Sequence, residues 1–136
     1  MPSTSTKLQL REAGPTCVVL TCATGLSREY RDVLAEAVER YLRPRPAVTG
    51  VVLDMTAVPF VNSAGLGALF QLMGRLRSHQ RRLVFASVPP LVARMFDAVG
   101  LQRLAGMARD VLAALAELAP DVPRRRPTRG PRKRTT

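Results

Sequence analysis

The chain has 136 residues, 46% of them hydrophobic, enough for one domain with one core. No apolar run reaches the roughly 18 residues that a membrane span needs. Met1-Pro2-Ser3-Thr4-Ser5-Thr6 lacks the charged and apolar regions of a secretory signal, so the cytoplasm is the expected compartment. The net charge of +11 points towards nucleic acid, but seven positive charges stand together at Arg124, Arg125, Arg126, Arg129, Arg132, Lys133 and Arg134. The other 14 face 10 negative ones, so the domain itself is only mildly basic.

In chain order, residues 1–6 are small and polar and read as a disordered N-terminus. Lys7 to Arg11 alternates, with Leu8 and Leu10 on one face, and reads as an edge strand. A turn at Glu12-Ala13-Gly14-Pro15 leads to a more buried strand, Thr16 to Ala23, antiparallel to the first. Cys17 and Cys22 lie five apart in that strand, so they point to opposite faces and cannot bridge each other. No further ligands accompany them, and no metal or cofactor site is expected. Ser27 is placed to cap a helix carrying Tyr30, Val33, Leu34, Ala37, Val38, Tyr41 and Leu42 as its apolar stripe. Arg43-Pro44-Arg45-Pro46 stops it.

A third strand spans about Thr49 to Asp54, and its Val51-Val52-Leu53 run reads as buried on both faces. Pro59 cannot continue a central strand. Beyond it, Leu66, Leu69, Phe70, Met73 and Leu76 recur at helical spacing, predicting a helix over about 63–77 with Asn62 or Ser63 at its cap. Gly65 and Gly67 weaken that helix, which suggests close approach of another backbone. His79, the only histidine, stands near the helix end in a structural role. Arg81 to Ser87 reads as strand four and Pro89-Pro90 starts a third helix ending near Val99, with Gly100 beyond it. Gln102 to Ala105 is predicted as a last short strand. Asp110 then caps a final helix with Val111, Leu112, Leu115 and Leu118 on its apolar side. Residues 120–136 form a basic, Arg/Pro-rich tail with too few apolar residues to fold. It is either solvated or a nonspecific contact for an acidic partner.

Chemistry is sparse. One histidine, no paired loop carboxylates, no nucleophile elbow and no phosphate-binding loop argue against an enzyme. The Gly65-Leu66-Gly67 pair lacks the third glycine of a dinucleotide fingerprint. Ser63 has two readings: a helix cap, or a modification site. A helix N-terminus tolerates an anion, and a phosphate there adds about −1.5 to −2 charges to a docking surface.

Phe60-Val61-Asn62-Ser63-Ala64-Gly65-Leu66-Gly67 resembles the signature of STAS domains, specifically the bacterial anti-sigma factor antagonists, in which an aromatic loop precedes Asp-Ser-Ser/Thr-Gly-Leu-Gly. A second block, Ala86 to Leu101, resembles their strand-Pro-helix segment ending in Phe-x-x-x-Gly-Leu, here Phe96 to Leu101. The resemblance covers about residues 7–118. It implies one α/β domain over 7–119, with a small mostly parallel sheet, an antiparallel edge strand and about four helices. It further implies docking on an anti-sigma factor, often a serine kinase of the histidine-kinase-like ATPase fold, to release a sigma factor. Phosphorylation at the signature serine, here Ser63, would end docking, and a serine phosphatase would reset it. By position Asn62, Ala64, Gly65 and Leu66 would line the docking surface, with Phe60 and Val61 supporting the loop. Three departures stand out. Asn62 replaces the usual acid, Ala64 replaces a frequent second hydroxyl, and Thr21 to Gly25 lacks the acids of the usual Gly-Glu-Leu/Ile-Asp run. The alternative is a structural STAS subunit of a transport or stress-sensing complex without a phospho-switch.

Overall fold

Central strands that are apolar on both faces need a layer on each side. The computed structural model describes residues 8–119; the N-terminus over 1–6 and the tail over 120–136 lie outside them. Five strands form one sheet in sequential order: β1 (Leu8–Glu12), β2 (Cys17–Cys22), β3 (Gly50–Asp54), β4 (Arg82–Ala86) and β5 (Gly106–Ala108). β1 pairs antiparallel with β2, and every later pair is parallel. Four α-helices accompany them: α1 (Val33–Leu42), α2 (Ser63–Ser78), α3 (Pro90–Ala98) and α4 (Val111–Leu118). The expected α/β domain, mostly parallel with an antiparallel edge, is the one observed.

The sequential order dictates where the helices go. α1, α2 and α3 each carry a crossover between neighbouring parallel strands, and crossovers of one hand stepping one way leave all three on one face. The core agrees. Val18, Leu20, Val51, Leu53, Leu83 and Phe85 share a buried cluster with Leu34, Leu69 and Phe96 of the three helices. The alternate residues, Cys17, Val19, Val52, Val84 and Ala86, pack instead against Ala114 and Leu118 of α4. Cys17 and Cys22 thus fall on opposite faces, both buried and free.

Several local expectations change. Ser27 caps no α-helix: it precedes a 3-10 turn, Arg28–Tyr30, and its side chain makes no capping bond. α1 starts only at Val33, after Asp32, whose backbone is left-handed at φ 65°. Gln71 of α2 holds that residue in place, accepting from the Asp32 N–H (2.9 Å) and donating to Asp32 Oδ1 (2.7 Å). The later start rotates the stripe, so Leu34, Ala35, Val38 and Leu42 are buried and Val33 is exposed. On α2 the buried face runs through Ala68, Leu69, Leu72, Met73 and Leu76, which leaves Phe70 outside. On α4 Leu112 is exposed, while Ala114 and Leu118 are buried, with Val111 and Leu115 half-buried beside them as expected.

The last strand also moves. Gly100, left-handed at φ 72°, leads into a 3-10 turn over Leu101–Arg103, and the strand follows at Gly106–Ala108. Burial of Leu101 takes the chain inward before it can extend. A Gly-Met-Ala strand has no β-branched residue to announce it.

Arg81 ties the strand starts together. Its guanidinium donates to the carbonyls of Val48 (2.8 Å), Arg45 (3.3 Å) and Leu42 (3.5 Å). Leu42 O and Arg45 O also accept from the backbone N–H groups of Arg45 and Val48, so Arg81 reinforces the turn beyond the α1 C-terminus. Arg81→Met is expected to lower unfolding free energy by about 2 kcal/mol, the scale of charged hydrogen bonds to partly buried carbonyls. Urea denaturation checks this.

Candidate functional site

After β3 the chain must leave the sheet, and Asp54 makes the turn. Its Oδ1 accepts from the Thr56 N–H (3.0 Å) and the Thr56 hydroxyl (2.6 Å). Met55 and Val58 are fully buried and anchor the loop below. The segment Pro59 to Asn62 then runs beside a second stretch of backbone. Leu26 and Val61 form a parallel bridge, with the Leu26 N–H donating to Phe60 O (2.9 Å) and the Asn62 N–H donating to Leu26 O (3.1 Å). Leu26 and Val61 are both buried.

Two glycines permit this contact. At Gly65 a Cβ would overlap the Leu26 carbonyl, and at Gly25 it would overlap the Phe60 ring. The close approach expected of Gly65 is therefore present. It is absent at Gly67, where a Cβ would meet only open space.

Asn62 is the N-cap of α2: its Oδ1 accepts from the Gly65 N–H (2.9 Å) and its carbonyl from the Leu66 N–H (2.8 Å). Ser63 is the first helical residue and is exposed. Its hydroxyl makes no hydrogen bond with the described residues, so the capping role belongs to Asn62. A shallow depression lined by Ser27, Arg28, Glu29 and Asn62 adjoins it.

The structure brings Phe60 to Leu66 together but divides them. Phe60 (51% exposed), Asn62 and Ser63 face solvent. Ala64 and Leu66 are half-buried, whereas Val61 and Gly65 are buried. Burial against Leu26 thus removes Gly65 from any surface a partner could touch, and Phe60 stands out from the loop rather than beneath it. Sequence reasoning missed Gly25, Leu26 and the Ser27–Glu29 rim. The available signal was an isolated leucine after a glycine, Gly25-Leu26.

Beneath the rim the Tyr30 phenol lies 2.8 Å from Thr24 Oγ1 and is 5% exposed. Burial raises its pKa above the ordinary phenol value of about 10, against the opposing hydrogen bond from Thr24. Among the described residues no group of three or more His, Cys, Asp or Glu side chains could hold a metal. Nor is any described helix long and apolar enough to cross a membrane.

The STAS domain family model matches residues 8–114. The chain belongs to the STAS domain family. No curated protein matches it. Among solved structures it is similar to a Thermotoga maritima protein described as a candidate anti-sigma factor antagonist. That match has a TM-score of 0.72 at 16% identity and covers 82% of this chain and 93% of that one. It is also similar to the phosphorylated form of the Bacillus cell-fate determinant SpoIIAA (TM-score 0.64, 19% identity, 82% and 99% covered). A third match is the murine Slc26a9 anion transporter (TM-score 0.69, 14% identity), covering 78% of this chain but 18% of the transporter. These likenesses show a shared STAS fold, which occurs both as a free-standing protein and as part of a larger one.

Two stability contrasts follow from the site geometry. Gly65→Ala is expected to cost about 2–3 kcal/mol, because backbone must shift. Gly67→Ala is expected to gain up to about 1 kcal/mol from helix propensity, and urea unfolding of both variants separates them. The Tyr30 phenol gives a pH signature. Its folded pKa is raised, so its contribution is present below pH about 10 and is lost as pH rises beyond that. Alkaline unfolding should therefore begin at higher pH in Tyr30→Phe than in wild type.

Proposed function

We propose that this STAS domain is an anti-sigma factor antagonist whose docking is switched off by phosphorylation of Ser63. The observation that carries the reading is an exposed serine hydroxyl, free of partners among the described residues, on the first turn of a helix already capped by Asn62. Such a hydroxyl is spare: modifying it removes no capping bond and leaves the fold its support.

In the unmodified state Phe60, Asn62, Ser63, Ala64 and Leu66 form a docking surface without a charged side chain. Val61 and Gly65 shape it from beneath. The partner is an anti-sigma factor with serine kinase activity and the histidine-kinase-like ATPase fold, and docking frees a sigma factor. A phosphate on Ser63 places its charge at the helix N-terminus, where backbone N–H groups and the helix dipole favour it in the free protein. The same charge at the centre of a contact must be desolvated, which weakens the complex. A serine phosphatase restores docking. Asn62 supplies the cap oxygen of the usual acid without its charge, so this partner reads the amide. Ala64 leaves Ser63 as the single hydroxyl between Phe60 and Gly67.

Tagged wild type, Ser63→Ala and Ser63→Glu should be used to capture partners from native extract, with identification by mass spectrometry. Wild type and Ser63→Ala are expected to retain an ATPase-fold anti-sigma factor. Ser63→Glu should lose roughly tenfold or more in affinity. Equal retention of one set of transporter or scaffold subunits by all three would support a structural subunit instead. A phosphate still present in Ser63→Ala after reaction with the kinase would exclude this site.

A further inference from the structure

A cavity of about 500 Å³ opens at the other end of the domain, between the last turns of α2 and the start of β5. Arg77 on its wall lies fourteen helical steps beyond Ser63, about 21 Å at the α-helical rise. It is thus a separate place from the candidate docking surface. Its size lies in the range of small-molecule sites, about 300–1,000 Å³.

The lining has two parts. Met73, Leu76, Leu83, Leu104 and Ala105 supply an apolar floor. Met73, Leu76 and Leu83 belong to the main core, so the floor is rigid, while Leu104 is 47% exposed at the mouth. The polar part is arginine. Arg77 comes from α2 and Arg103 from the 3-10 turn before β5, so two elements each contribute one guanidinium to the wall. Both residues are exposed, and neither side chain forms an ion pair or hydrogen bond among the described residues. Arg81 adds a third positive charge, with its Nε and Nη2 donors engaged by the three carbonyls described above. Strand alternation puts the Arg82 side chain with Val84 on the α4 face, so it is not counted here.

No carboxylate lines the cavity. The carboxylate of Glu117 lies near Gly106 but belongs to α4, across the sheet. Guanidinium groups without a partner among the described residues, above an apolar floor, suit an occupant with the opposite charge and an apolar body. The basic tail is a poor occupant, with seven positive charges from Arg124 to Arg134 against one acid, Asp121.

We propose that this cavity binds a small amphiphilic anion: an alkyl chain on the floor formed by Met73, Leu76, Leu83 and Leu104, with a phosphate or carboxylate head held between Arg77 and Arg103. A fork-shaped guanidinium suits either oxyanion, through paired N–H donors. The site needs no modification at Ser63 and does not rest on the docking reading.

The test is a titration of the full chain, followed by amide NMR, with octyl phosphate, octanoate, octanol and inorganic phosphate, each below its micelle concentration where it has one. Octyl phosphate or octanoate is expected to saturate, with shifts concentrated at Met73, Leu76, Leu83 and Leu104 to Gly106. Which of the two binds more tightly identifies the head group. Octanol and inorganic phosphate should each bind at least roughly tenfold more weakly, because each offers one half of the ligand. Arg77→Gln with Arg103→Gln should weaken the amphiphile roughly tenfold while the thermal midpoint stays unchanged, since both side chains are exposed. Leu104→Asp, also at an exposed position, should weaken it independently. Non-saturating shifts, shifts scattered over the surface, or equal affinity for octanol would overturn the proposal. So would wild-type affinity in the folded double-arginine variant.

Discussion

The Leu26 carbonyl is the point on which the candidate site depends. It accepts the Asn62 N–H and sits where a Cβ of residue 65 would have to go. Leu26 in turn donates to Phe60, so two segments far apart in sequence are locked backbone to backbone. Because the lock uses main-chain groups, its geometry does not depend on any side-chain rotamer. Asn62 can then cap α2, and Ser63 emerges at a fixed place with nothing asked of its hydroxyl. A short bridge outside the main sheet thus converts a loop into a platform.

That platform explains how a surface can change its charge while the fold stays the same. The stability of the domain comes from two apolar layers on a sequentially ordered sheet, with α1, α2 and α3 on one face and α4 on the other. None of the side chains in those layers is the hydroxyl of Ser63. A charge added there acts on whatever approaches, and only weakly on the packing below. The opposite end differs in character, for there guanidinium groups line the wall of an apolar hollow.

Much of this architecture was legible in the sequence because it is written in short-range patterns. Val51-Val52-Leu53 announced a strand covered on both faces, Pro89-Pro90 announced α3, and Asp110 announced α4, which it caps through the Ala113 N–H. Residue type and position pointed to a cap at Asn62 or Ser63 and to close approach at Gly65 and Gly67; the structure puts the cap on Asn62 and the approach at Gly65 alone. What escaped was set by tertiary contacts. The α1 start depends on Gln71, 39 residues away from Asp32, which overrides the local Ser27 signal. The Phe60 ring lies against Gly25, where a Cβ would overlap it, and Gly25 directly precedes the Leu26–Val61 bridge. β5 forms by pairing with β4, although its own residues have little strand propensity.

The central claim is that Ser63 stands on a preformed platform, so its modification alters the surface and leaves the lock intact. Amide hydrogen exchange on the protein before and after stoichiometric phosphorylation at Ser63 tests it most directly. The account predicts unchanged or slower exchange at Leu26, Asn62 and Gly65, and unchanged protection across β2 to β4. Faster exchange at Leu26 and Asn62 on phosphorylation would mean that the loop opens, and would contradict it.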